Sequence, residues 1–141
     1  MAYCVQTDIV NQLDTTSLIQ LTDDAGAGAV DATVVTRAIA DADATIDAYC
    51  QGRYTVPLSP VPVKIRQVSV DIAIYNLFSR RDDTAPETRK DRHKEAIRFL
   101  ERVADGKIDL GAATPAPATT GNAVDIANED RIFTRTKMTG F

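Results

Sequence analysis

The stretch VKIRQVSVDIAIYNLFSR, residues 63–80, limits the possible folds of this 141-residue chain more than any other segment. At 100° per residue it puts Ile65, Val68, Ile72 and Tyr75 on one side of a helix. Val63, Val70, Ile74 and Leu77 fall on another side. A helix that is apolar around most of its circumference has to be surrounded, because a surface helix keeps one polar face. Three of the six prolines, at 57, 60 and 62, precede it and hold 53–62 extended, while a proline at the helix start is tolerated. The spacing predicts a central helix over 63–80, beginning near Pro62 or Val63.

The flanking segments supply the cover. Asp31 stands as N-cap of a helix running to about Gln51, with Val35, Ile39, Ala42, Ile46 and Tyr49 as its apolar stripe and Gly52 placed for a left-handed end. A third long helix is expected from about Ala85 to Asp105, opened by a capping box between Thr84 and Glu87 and closed by Gly106. Its inner face reads as Ala96, Ile97, Leu100, Val103 and Ala104. Residues 7–22 read as short helical turns capped by Thr7 and by Thr15 or Thr16, and 23–30 (DDAGAGAV) as a glycine-bearing loop. The predicted class is all-α: a small bundle of three long helices plus short N-terminal helices, with an extended C-terminal arm. The organisation expected is a helical domain over 1–110, a flexible Pro/Ala/Thr linker over 111–127, and the arm over 128–141.

Charge is segregated along the chain. Residues 1–52 hold Arg37 against eight aspartates, at 8, 14, 23, 24, 31, 41, 43 and 47, for a net −7. Residues 53–141 hold 15 basic and 12 acidic residues, net +3, and the whole chain is −4. An acidic chain does not suit a protein whose main task is gripping duplex DNA by its phosphates. Opposite signs at the two ends suit head-to-tail pairing of copies. No run of 18 apolar residues occurs, so no membrane span is expected, and MAYCVQTDIV lacks the basic and apolar regions of a secretory signal. Cys4 and Cys50 are too few for a disulfide framework, which points to a reducing cytosol.

The candidate chemistry is thin. The 23–34 loop has Gly28 and Asp31 where a calcium loop has its sixth and ninth residues, but Ala25, Ala27 and Val34 occupy positions that must supply oxygens. His93, the one histidine, lies on an apolar stripe and reads as a packed or half-exposed residue. Asp43 and Asp47 share a face, expected to be solvated. The basic residues Arg80, Arg81, Arg89, Lys90, Arg92, Lys94 and Arg98 are interleaved with Asp82, Asp83, Glu87, Asp91 and Glu95, the pattern of a salt-bridged surface. A small helical DNA-binding regulator using that stretch is the alternative reading. No catalytic residue, cofactor or metal is expected.

In order along the chain, LIQLTDD (18–24), ADADATIDAYCQGRYTVPLSPVP (40–62), DIAIYNL (71–77), EAIRFLERVADGKIDLG (95–111) and RIFTRTKMTGF (131–141) resemble a Mu-like phage and prophage family of head–tail connector, or neck, proteins. The ordered set, above all Tyr-x-x-x-Arg-Tyr-x-x-Pro-Leu from 49 to 58, carries the resemblance. The loop after Leu21-Thr22-Asp23 departs from it, being alanine-rich where the family is often more acidic. The resemblance implies an adaptor that forms a homo-oligomeric ring, twelve-fold to match the portal. Such a ring would join portal to tail-completion or tail-terminator proteins and line a channel for passing double-stranded DNA. It places the protein in the virion neck, and in the host cytoplasm during assembly. On the arm, Arg131, Arg135 and Lys137 favour an acidic acceptor, while Ile132, Phe133, Met138 and Phe141 are apolar anchors for a partner interface.

Overall fold

A computed structural model describes residues 1–80 and 85–115. Among these, five helices form and no strand: α1 (Gln6–Gln12), α2 (Thr15–Thr22), α3 (Ala32–Cys50), α4 (Val63–Ser79) and α5 (Glu87–Ala104). The described residues are all-α, with three long helices and two short N-terminal ones, as the periodicity predicts.

Helix α4 is the centre. It packs against α3, α5, α1 and α2, and buries Ile65, Val68, Val70, Ile72, Ala73, Ile74 and Leu77. Val63 departs from the expected pattern and is 86% exposed. It is the first helical residue, and helical side chains lean toward the N-terminus, which carries this one past the end of the packed layer. On α3 the stripe Val35, Ile39, Ala42 and Ile46 is buried as predicted, joined by Ala38 and Cys50, with Tyr49 half-buried.

The helix ends show which local chemistry prevailed. Asp31 caps α3, accepting from the backbone N–H of Thr33 and Val34 at 2.8 and 3.4 Å. Asp14, not Thr15 or Thr16, caps α2, accepting from Thr16 N–H at 2.8 Å and Ser17 N–H at 3.3 Å. A carboxylate one residue upstream is charged and outcompetes a hydroxyl for those amides. Helix α1 begins one residue before Thr7, with the Asp8 carboxylate accepting from Val5 N–H at 3.0 Å.

The capping box expected from Thr84 does not open α5. Pro86 is the N-cap and Glu87 the first helical residue; Thr84 itself lies outside the described residues. A proline disfavours helical backbone in the residue before it, so Ala85 cannot begin the helix. Gly52 is not left-handed either: α3 ends in a right-handed turn in which the N–H groups of Arg53 and Tyr54 both donate to Cys50 O. Gly106 does terminate α5, at φ +81°, with its N–H donating to Val103 O and Lys107 N–H to Arg102 O. That double closure satisfies carbonyls the helix leaves open. Ala96, Leu100 and Val103 form the buried seam of α5, Ile97 is half-buried, and Ala104 is exposed.

After α5 the chain returns along the 53–55 turn. Arg53 donates to Val103 O at 2.9 Å, placing a cation at the carbonyl end of α5. The buried Tyr54 hydroxyl donates to Asp109 and accepts from Leu110 N–H, both at 3.0 Å. Thr55 N–H donates to Ala113 O at 2.9 Å. Ile108, Leu110 and Ala112 pack on the core, so residues as far as 113 run against the helical body. The rest of the expected linker, from 116, and the whole expected arm, 128–141, lie outside the described residues.

Candidate functional site

The seven predicted interface residues, Arg131, Ile132, Phe133, Arg135, Lys137, Met138 and Phe141, lie outside the described residues. The described body carries four groupings of polar side chains.

The first is a latch that ties the N-terminal segment across α3 and α4. Tyr3 and Cys4 are buried. The Tyr3 hydroxyl donates to the Asp47 carboxylate and accepts from Leu58 N–H at 3.0 Å. Tyr3 N–H donates to both Asp43 oxygens, at 3.2 and 3.3 Å. The buried Ser69 hydroxyl donates to Asp43 at 3.1 Å and lies 3.2 Å from Cys4 Sγ. Asp43 and Asp47 are therefore not the solvated pair expected from the sequence: the segment 1–5 folds over them and leaves both half-buried. Burial raises the pKa of Asp43, a shift opposed by the Tyr3 and Ser69 hydrogen bonds and reinforced by the Asp47 charge. Burial also raises the Tyr3 and Cys4 values, and burial with the Asp47 charge pushes the Cys50 thiol up to about 11. Both thiols are free, buried and protonated at neutral pH, which makes them poor nucleophiles.

The 23–30 loop is the second. Asp23 accepts from Ala27 N–H at 2.8 Å and Gly28 N–H at 2.7 Å, and these backbone donors lower its pKa. Gly26 and Gly28 adopt φ of +71° and +69°, which winds the loop around that carboxylate. Asp23 thus organises a turn from within. Among the described residues, no group of three or more His, Cys, Asp and Glu is arranged to hold a metal ion.

The basic stretch is the third. Arg80 forks onto Asp24 at 2.6 and 2.9 Å and donates to Leu21 O at 2.8 Å. Arg89 donates to Gln12 O at 2.8 Å, and Arg92 to Gln12 Oε1 at 3.2 Å. Arg92 also pairs at 3.7 Å with Asp71, whose side chain is 9% exposed. Burial raises the Asp71 pKa, and Arg92 and Arg89 oppose that shift. Lys90 pairs with Glu87 and Lys94 with Asp91, each at 3.6 Å one turn apart. Arg81, Asp82 and Asp83 lie outside the described residues. His93 stacks on Tyr75 with ring centroids 4.0 Å apart, and burial lowers its pKa. It is the packed histidine that its stripe position suggests.

The fourth grouping is the outer face of α3. A groove of about 610 Å³ runs between α3 and α4, lined by Val34, Arg37, Ala38, Asp41, Leu77 and Arg80 among others. On the other side a hollow of about 400 Å³ lies between α3 and the N-terminal segment, with Met1, Ile39, Ala40, Ala44, Asp43 and Asp47 in its wall. Thr36, Ala40 and Ala44 between them are small and exposed. No helix among the described residues is long and apolar enough to cross a membrane.

Tyr3 and Ser69 build the latch and Asp71 anchors Arg92, and the sequence reading does not single these three out. Ser69 and Asp71 interrupt the apolar run from Val68 to Ile74, which was a readable signal that something polar meets them.

A family model described as Bacteriophage Mu, Gp36 matches residues 3–128. The chain is 40% identical over 85 residues to "Mu-like prophage FluMu protein gp36" of Haemophilus influenzae, covering 60% of this chain and 58% of that protein. The chain thus spans under two thirds of that relative's length. It is 31% identical over 116 residues to "Gene product J" of Escherichia phage Mu, covering 81% of this chain and 79% of the relative.

Proposed function

Because the chain belongs to the Bacteriophage Mu, Gp36 family, we propose that it is a structural virion protein of a Mu-like phage, the head–tail connector. In this reading it forms a ring of twelve identical subunits beneath the portal. The ring joins the portal to tail-completion proteins and lines a channel through which double-stranded DNA passes. The reading assigns it no catalytic residue, cofactor or metal.

One observation carries the proposal: acids of α3 stay exposed while four cations of the basic stretch are paired within the chain. Asp31 and Asp41 are exposed on α3. Arg80, Lys90, Arg92 and Lys94 are each paired with a carboxylate of the same chain. A surface of this sign lets a phosphate backbone slide past, because few counterions are released by contact with it. The same pairing disfavours the regulator reading, which needs a helix with free cations for the major groove. Unlike charges at the two ends of the sequence suit a heterologous contact, and such contacts close into rings when the rotation permits.

The test is the mass of the purified protein, alone and mixed with portal. Twelve chains of 15.3 kDa make a ring of about 184 kDa. A protein that remains a monomer with and without portal defeats the reading.

A further inference from the structure

We propose that in the free subunit the basic tip of the chain, residues 131–141, docks on the outer face of its own α3. The proposal goes beyond the connector reading and does not depend on it.

The face fits this occupant by charge. Asp31 and Asp41 are exposed on it, the half-buried Asp43 and Asp47 stand at its edge, and Arg37 and the N-terminal ammonium beside Asp43 oppose them, leaving a local net −2. The tip carries Arg131, Arg135 and Lys137, with no acid after Asp130. The exposed face of α5 offers no such field, since Arg92, Lys94, Arg98 and Arg102 are matched by Glu87, Asp91, Glu95 and Glu101.

Shape agrees. The hollow of about 400 Å³ against Met1 and Ile39 continues into a shallow, open surface over Ala32, Thr36 and Ala40. With Thr36, Ala40 and Ala44 as its floor, the face lets a peptide backbone approach closely and leaves room for Ile132, Phe133, Met138 and Phe141.

Reach selects the chain's own tip over that of a second copy. The described chain ends at Pro115, two residues past the Ala113 carbonyl that holds Thr55, and so close to the end of α3. Ala40 lies ten residues back along α3, about 15 Å by helical rise. The sixteen residues from Pro115 to Arg131 span at most about 53 Å. A tether of that length confines the tip at roughly millimolar effective concentration, far above that of a second copy in a micromolar solution.

The experiment compares two full-length double variants, Ala40→Cys/Thr136→Cys and Ala104→Cys/Thr136→Cys, oxidised gently at low micromolar concentration. Residues 40 and 104 are both exposed alanines, and 104 is the closer in sequence to Pro115, so unguided motion favours the second pair. We expect the 40–136 disulfide to form within one chain about tenfold faster than 104–136. High salt or Asp41→Lys should abolish the excess. Equal rates, or a slower 40–136 link, would overturn the proposal. Mixing isotopically heavy and light chains separates the sources: heavy–light disulfides in statistical share would put the tip on a neighbouring copy and also overturn it. Neither result alters the ring mass, so the connector reading stands or falls separately.

Discussion

Tyr3 is held through its main chain by Asp43 and through its hydroxyl by Asp47 and Leu58 N–H. In Tyr3→Phe the ring still fills its place, but the buried Leu58 amide loses its acceptor. An unsatisfied buried donor costs about 1–3 kcal/mol, so denaturant unfolding should show a loss of that size, and an unchanged midpoint would contradict the latch. Asp43 allows a second test, by pH. Burial raises its folded pKa, so in the window above the ordinary carboxylate value the folded state binds more protons than the unfolded. The contribution of this group is then fully present below the unfolded pKa and is lost as pH rises through the folded one. Asp43→Asn keeps an oxygen for the Tyr3 N–H and removes the charge. It should melt higher than the parent at pH 7, with the gap closing toward pH 4; a lower melting temperature at pH 7 would refute this account. Little of this latch was legible in the sequence beyond the polar Ser69 in α4, because period-3.6 reading places Asp43 and Asp47 beside the apolar stripe without saying what crosses over them. The cover comes from residues 1–5, which have no period of their own.

At the scale of elements the legible part was the hydrophobic pattern. The apolar circumference of 63–80 marked α4 as central, and the buried stripes of α3 and α5 follow from spacing alone. Ends were harder, since capping is a competition among neighbours: Asp14 displaced two threonines, and Pro86 moved the start of α5 to Glu87. Ile72→Asp tests the central assignment. Ile72 is 2% exposed on the helix that all the others touch. An ionised carboxylate there has no partner, and its burial should cost several kcal/mol, comparable to the whole stability of a domain this size. Circular dichroism of the variant should show loss of the cooperative thermal transition. A soluble variant with parental melting would mean that α4 is not the core of the bundle.

For the molecule as a whole, charge segregation divides the work between a folded body and a basic end. Among the described residues the buried core runs as far as Val103, and partly buried residues as far as Ala112 pack against it. Removal of residues 128–141 should therefore leave thermal unfolding nearly unchanged. What the deletion removes is Arg131, Arg135 and Lys137 together with Ile132, Phe133, Met138 and Phe141. Basic residues beside large apolar ones concentrate binding energy in a short segment, and an extended peptide of this kind orders against a groove or sheet edge on contact. If the tip rests on α3 before assembly, it uncovers α3 as it leaves for a partner. The shortened protein should then stay folded, fail to join portal or tail partners in a pull-down, and yield full heads without tails when it replaces the parent during infection. A shortened protein that is folded and binds those partners with undiminished affinity would place the joint on the helical body, with the exposed face of α3 as the surface to mutate next.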